Sequence, residues 1–211
     1  MRFLIATRNP KKLKELSRIL NPLGIEAVSA AELGIELDET EETGKTFEEN
    51  AELKALAACR QSGLPAVADD SGLEVDALGG APGVHSARFA GENASDAERN
   101  AKLLSMMEGI PEEKRAARFV CAICCVLPSG EKITACGECA GKIGFNPIGD
   151  KGFGYDPVFV VSNGKTFAQL SDEEKDLISH RGRALRQFSA RLLEYLKKTR
   201  GMITGFEFLR L

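Results

Sequence analysis

The apolar positions of this chain switch repeatedly between two spacings. Residues 2–6, Arg-Phe-Leu-Ile-Ala, form a short apolar run that predicts a buried strand. Leu13, Leu16 and Leu20 then recur at helical spacing. Asn9 suits the N-cap of that helix, Pro10 its first helical position, and Asn21-Pro22 ends it. Residues 25–29 read as a second strand and residues 34–45 as a polar, acidic loop. Thr46-Phe-Glu-Glu49 has capping-box form and predicts a helix to about Gln61. Ala66-Val-Ala68 predicts a short strand that ends in Asp69-Asp70-Ser71-Gly72.

The second half follows the same grammar. Gly79-Gly-Ala-Pro-Gly83 is a turn-rich break, and Ser95-Asp-Ala-Glu98 caps a helix to about Met107. Residues 116–127 and 131–139 are strand patterns joined by Pro128-Ser-Gly130, a hairpin signal. Pro157-Val-Phe-Val-Val161 predicts another strand. Ser171-Asp-Glu-Glu174 caps a C-terminal helical stretch with a break near Ser179-His180, running to about Lys198. Beyond it, Gly201 and Gly205 interrupt the pattern. Interleaved strands and helices mean an α/β fold. The expected organisation is one unit over residues 1–198 and a tail of unassigned role over 199–211.

Composition narrows the class. A chain of 211 residues buries roughly 70% of the surface of its unfolded form, enough for a core without disulfides or metal. No apolar run approaches the about 20 residues of a membrane helix, so no membrane partner is expected. The N-terminal apolar run is too short for a signal peptide, which points to the cytoplasm. A net charge of −3 argues against nucleic acid, which attracts a basic excess.

The six cysteines include two CxxC pairs, Cys121-Ala-Ile-Cys124 and Cys136-Gly-Glu-Cys139. That spacing suits zinc. The first pair, however, lies in a strand pattern, where residues three apart point to opposite faces. No zinc is expected; the thiols read as small apolar core residues. Two other motifs are fragments. Gly44-Lys45-Thr46 lacks the upstream glycine of a phosphate-binding P-loop and follows acidic residues. Gly152-Phe-Gly154 lacks the third glycine of a dinucleotide fingerprint.

Four clusters carry chemistry. Thr7-Arg-Asn-Pro-Lys-Lys12 joins a strand to a helix N-terminus, where free N–H groups and the dipole favour an anion. The same residues equally fit a capped helix with a solvated lysine face. Glu41-Glu42 with Asp69-Asp70-Ser71 offers carboxylates suited to Mg²⁺ or to activating a water; solvated loop acids are the alternative. Asn50 and Lys54, four apart beside an apolar helix side, are placed to line a polar edge of such a site. Gly152-Phe-Gly-Tyr-Asp156-Pro holds aromatics that suit stacking on a base, or a turn with one buried ring. Lys175 and Ser179-His180-Arg181 supply a cation for phosphate and donors for an oxo-substituted purine edge.

Together the clusters resemble the inosine triphosphate pyrophosphatase family. The matching stretches are Ala6–Glu15, Glu42–Ala55, Ala68–Val75, Gly79–Arg88, Gly152–Pro157 and Ser179–Leu185. They stand in the family's order and span residues 2 to about 198. Arg8 departs from the glycine found in many members.

The resemblance implies an elongated, two-lobed α/β fold with a long central mixed sheet and flanking helices. It implies Mg²⁺-dependent hydrolysis of ITP, dITP and XTP to the monophosphate and pyrophosphate, and a homodimer. Carried over by residue, Thr7, Arg8, Asn9, Pro10, Lys11 and Lys12 hold phosphate. Glu42 and Asp70 serve the metal, and Asp70 is also the proton acceptor for the attacking water. Lys54, grouped with Asp70 as catalytic, and Lys175 neutralise the triphosphate. Ser71 contacts substrate, and Phe153, with Gly154 and Tyr155 beside it, stacks on the base. Asp156, His180 and Arg181 read the purine edge. A relative acting on modified pyrimidine triphosphates, and a nucleotide-binding module without activity, are the competing readings.

Overall fold

A computed structural model describes residues 1–7, 9–38 and 40–207, without the side chains of Lys11, Glu15, Ile19, Leu23 and residues 200–207. In chain order the elements are β1 (Arg2–Ile5), α1 (Pro10–Leu20), β2 (Glu26–Val28), α2 (Phe47–Ser62), β3 (Ala66–Val75), α3 (Asp96–Met106), β4 (Ala116–Val126), β5 (Lys132–Ile143), β6 (Phe159–Val160), α4 (Asp172–Ile178) and α5 (His180–Glu207). The strands form one six-stranded mixed sheet in the order β2-β1-β3-β4-β5-β6. β1 runs parallel to β2 and β3, and the β3–β6 pairings are antiparallel. The expected α/β fold with a long mixed sheet is what the chain adopts.

Strand alternation sorts the core. On one face Phe3, Ile5, Val67, Cys121 and Ile123 pack under α1 and α5, against Leu16, Leu20 and Phe188. On the other, Leu4, Ala66, Ala68, Ala122 and Cys124 pack under Phe47, Ala51 and Ala55 of α2. A further core gathers Leu73, Leu103, Phe119, Phe159 and Phe167 towards the far end of the antiparallel ribbon. Cys121 and Cys124 therefore enter different cores, as their strand spacing demands.

The helix starts follow the sequence. Ser95 and Ser171 each form a full capping box, with Glu98 and Glu174. Thr46 forms half of one: its hydroxyl accepts from the Glu49 N–H, but the Glu49 carboxylate takes the amide of Lys45.

Three expectations need correction. β3 does not end at Ala68. It pairs with β4 from Ala66↔Val126 to Val75↔Ala117, so Asp69, Asp70 and Ser71 lie mid-strand. β6 is only two residues long, because its pairing with β5 is confined to Phe159 and Val160. α5 continues through Gly201 and Gly205 to Glu207. Glycine costs about 1 kcal/mol of helix propensity but retains its backbone hydrogen bond.

Candidate active site

The site is built on the difference in length between β1 and β3. β1 pairs with β3 only at Leu4↔Ala66 and Ile5↔Val67. Beyond Val67 that edge of β3 has no strand beside it among the described residues, and side chains from both faces of the sheet reach round to one cleft. A cavity of about 1010 Å³ opens there, lined among others by Thr7, Asn9, Lys12, Glu42, Lys54 and Asp69.

The two neighbouring aspartates take opposite sides. Asp69 shares the α1/α5 side with Lys12, whose Nζ lies 2.8 Å from Asp69 Oδ2, and Arg181, whose Nε is 3.7 Å from the same oxygen. Burial alone would raise the Asp69 pKa, but Lys12 and Arg181 outweigh it and hold the carboxyl at about 2. Asp70 faces α2. Its Oδ1 accepts from Lys54 Nζ at 2.8 Å, and its Oδ2 from Asn50 Nδ2 at 3.4 Å. There burial wins, and the Asp70 pKa stands above its ordinary value in spite of Lys54. The adjacent acids are thus not a pair. The partner of Asp70 across the cleft is Glu42, which accepts from the same Lys54 Nζ at 3.1 Å.

Lys54 is desolvated, yet its pKa is raised, because Asp70 and Glu42 more than offset the burial. Glu42 is lowered for the converse reason: burial opposes ionisation, and Lys54 and Arg88 overcome it. Arg88 donates from Nη1 to Glu42 Oε2 at 3.2 Å, and its Nη2 lies 3.2 Å from His85 Nδ1. The sequence reading gave Arg88 no role. Only the fold brings it to Glu42, forty-six positions away.

The turn between β1 and α1 forms the cleft wall. Thr7 Oγ1 accepts the Asn9 amide at 3.2 Å, and Pro10 opens α1 as expected. Arg8, and the side chain of Lys11, lie outside the described residues.

The aromatic end lies where α4 and α5 meet the loop before β6. Gly152 and Gly154 have φ of 73° and 62°, the left-handed region that glycine tolerates. A Cβ on Gly152 would stand 2.0 Å from Asp156 Oδ2, the atom that accepts the Phe153 amide at 2.8 Å. The same oxygen pairs with Lys175 Nζ at 2.5 Å, and that ammonium lies 5.1 Å from the Phe153 ring centre and 5.4 Å from that of Phe167. Asp156 is buried, and its Oδ2 fixes the loop through the Phe153 amide and Lys175. Lys175 belongs to this aromatic end, not to the Lys12–Lys54 end assigned to phosphate. Tyr155 is also corrected: its ring is buried and its hydroxyl donates to Ser86 O at 2.8 Å, so it is a core residue.

α5 opens with His180 and Arg181. Gly137 of β5 lets that helix lie directly on the sheet, since a Cβ there would be 2.3 Å from His180 O. The His180 ring stacks on Phe119, centroids 4.6 Å apart and planes 10° apart. Burial first, then Arg181 and Lys175, push its pKa well below the usual value, so the ring is neutral at pH 7. Its Nδ1 is buried with no hydrogen-bond partner among the described residues. Arg181 Nη2 donates to Ser71 Oγ at 3.1 Å, and its guanidinium carbon lies 5.5 Å from the Phe153 ring centre. Asp69, Ser71, Phe153, His180 and Arg181 are therefore brought together from distant parts of the chain.

The Ham1 family sequence model matches residues 3–191. The chain belongs to the Ham1 family. A dITP/XTP pyrophosphatase of Exiguobacterium sp. is 53% identical over 198 residues, 93% of this chain and 100% of that protein. One from Geobacter sulfurreducens is 53% identical over 185 residues, 87% of this chain and 92% of that protein. Among solved structures, a HAM1 protein from Coxiella burnetii superposes with a TM-score of 0.85 at 44% identity, covering 92% of this chain and 99% of that one. The Ham1 assignment bears out the resemblance drawn from the sequence blocks. Within the family frame, Thr7, Asn9, Lys12, Glu42, Lys54, Asp69, Asp70 and Ser71 all fall inside the matched span.

Proposed function

We propose that this protein hydrolyses the purine triphosphates ITP, dITP and XTP to the monophosphate and pyrophosphate with Mg²⁺, removing deaminated purines from the nucleotide pool. It is a hydrolase acting on acid anhydrides, of the nucleoside triphosphate pyrophosphatase type. The observation that carries the reading is the bridge that Lys54 makes between Asp70 and Glu42, at 2.8 and 3.1 Å.

Two carboxylates of hard oxygen character fit Mg²⁺, which takes one or two acids and completes its shell with water and substrate phosphate. Glu42 and Asp70 would hold the ion, and when bound it would neutralise charge developing on the phosphates. Asp70, with its raised pKa, is the more basic of the cleft acids and orients a water for attack. Lys12 and Lys54 offset triphosphate charge from opposite walls.

At the other end Phe153 gives a stacking surface, and Arg181 a donor for the 6-oxo group of inosine and xanthine. Adenine carries a donor there, which leaves Arg181 unmatched, and a buried site rejects such a mismatch strongly. His180, neutral, brings one donor and one acceptor. On the family resemblance we place the protein in the cytoplasm as a homodimer.

Pyrophosphate release from ITP, XTP, GTP, ATP, CTP and UTP, with and without Mg²⁺, tests this. Fast, Mg²⁺-dependent release confined to ITP and XTP is expected. Equal rates on pyrimidine triphosphates would remove the purine-reading roles of His180 and Arg181. Silence on every nucleotide from folded protein would favour a binding module.

A further inference from the structure

We propose that Asp96 and Asn100 of α3 are positioning residues for base recognition, acting through the peptide groups of Gly154. This rests on the reading of Phe153 as the base platform. Gly154 is the residue after Phe153, and both of its polar backbone atoms are held by one helix. Asp96 Oδ2 accepts the Gly154 amide at 2.7 Å. Asn100 Nδ2 donates to the Gly154 carbonyl at 3.0 Å. The two residues stand four apart, on one face of α3 and about one helical turn from each other, which is the spacing needed to grip an N–H and a C=O of one residue.

The grip is itself anchored. The other Asp96 oxygen pairs with Arg99, and Arg99 Nη1 donates to Ala87 O at 2.9 Å. The next loop residue, Tyr155, bonds Ser86 O one position earlier. The aromatic loop is thus fastened on one side to α3 and to residues 86–87, and on the other by Asp156 and Lys175. Gly154 has φ of 62°, and a short glycine-bounded loop has many other conformations open to it. Two directed hydrogen bonds select one of them and set where the Phe153 ring lies.

Asn100 is chosen for its donor. It is buried, and its Oδ1 has no hydrogen-bond partner among the described residues, while its amide group reaches Gly154. An isosteric Asp would present an acceptor to a carbonyl oxygen, and Leu would leave that oxygen unpaired. A buried amide with half its capacity unused is costly. It is explained if the bond to Gly154 serves the loop rather than the core.

The test compares ligands with and without a base. For Asn100→Asp and Asp96→Ala we expect KM for ITP and the inhibition constant of inosine monophosphate to rise about tenfold, with kcat changing about twofold or less. Inhibition by inorganic tripolyphosphate should stay at the wild-type value, which also shows that the variant is folded. Asp96→Asn, which keeps an acceptor for the Gly154 amide, should retain most of the affinity for ITP. Equal weakening of both inhibitors would mean a general structural role and overturn the proposal, as would no weakening of either. Phe153→Ala is measured alongside. If it too fails to separate the inhibitors, the base-platform reading is wrong; if it separates them and the α3 variants do not, the platform stands and the α3 role falls.

Discussion

Nζ of Lys54 lies 2.8 Å from Oδ1 of Asp70 and holds that carboxylate towards Glu42 on the far side of the cleft. Burial makes Asp70 basic, and Lys54 keeps it oriented. Asp70→Asn keeps the shape and the hydrogen bond from Lys54 but removes the basic oxygen. We expect kcat to fall about 10²- to 10⁴-fold while nucleotide still binds, as read by single-turnover kinetics and calorimetry. Near-normal turnover would remove Asp70 from the chemistry.

Lys12 pairs with Asp69 at 2.8 Å, and on the proposed function it also meets substrate phosphate. Lys12→Ala should raise KM for ITP and the inhibition constant of tripolyphosphate together, by about tenfold or more. It should also cost about 1–3 kcal/mol in urea unfolding, since the buried Asp69 carboxylate loses its nearest partner. An unchanged tripolyphosphate constant would place the phosphates elsewhere.

On the proposed function, Arg181 separates purines by the group they carry at position 6. Arg181→Ala should narrow the ratio of kcat/KM for ITP over ATP by about tenfold or more, mostly through loss on ITP. A ratio that does not move means that the base is read by other residues.

Acid stability should fall in two windows. The folded His180 has a pKa below its ordinary 6.5, so the unfolded chain binds the proton first and stability drops as pH falls below about 6.5. Asp69 is held at about 2 against an ordinary 3.8, so its contribution, on the order of 2 kcal/mol, is present above about pH 4 and lost towards pH 2. Urea midpoints against pH, measured in chelator, check both. His180→Gln should flatten the upper window and Asp69→Asn the lower. Unaltered slopes would mean that neither group carries the linkage.

Gly137→Ala should act at a distance from the chemistry. The added Cβ would press on His180 O and on Ala184 N, at 2.3 and 2.4 Å, and lift the start of α5 from β5. Stability should drop by about 1–3 kcal/mol, and ITP-over-ATP selectivity should fall with kcat less affected. Full selectivity in a destabilised variant would separate the seat of α5 from base reading.

Much of the framework was legible locally. Hydrophobic spacing and the capping residues placed the helix starts within a residue or two, because those signals act over one or two turns; the end of α5 at Glu207 they did not place. Strand alternation alone showed that Cys121 and Cys124 diverge. The blocks around Asn9, Lys54, Asp70 and His180 were distinctive enough to indicate the family and the reaction type. The length of β3 was not legible, since Asp-Asp-Ser-Gly reads as a strand end and only pairing with β4 extends it.

The sequence by itself determined the α/β order of elements, the cleft acids and lysines, and the histidine and arginine that open α5. The tertiary structure alone decided their partners. It sent Asp69 to Lys12 and Arg181, and Asp70 to Lys54, through the two-residue period of a strand whose register no local pattern states. It brought Arg88 to Glu42, turned Asp156 and Lys175 to the aromatic loop, and buried Tyr155. Each of these contacts spans between sixteen and more than a hundred positions, and side chains that far apart meet only when the sheet has chosen its register.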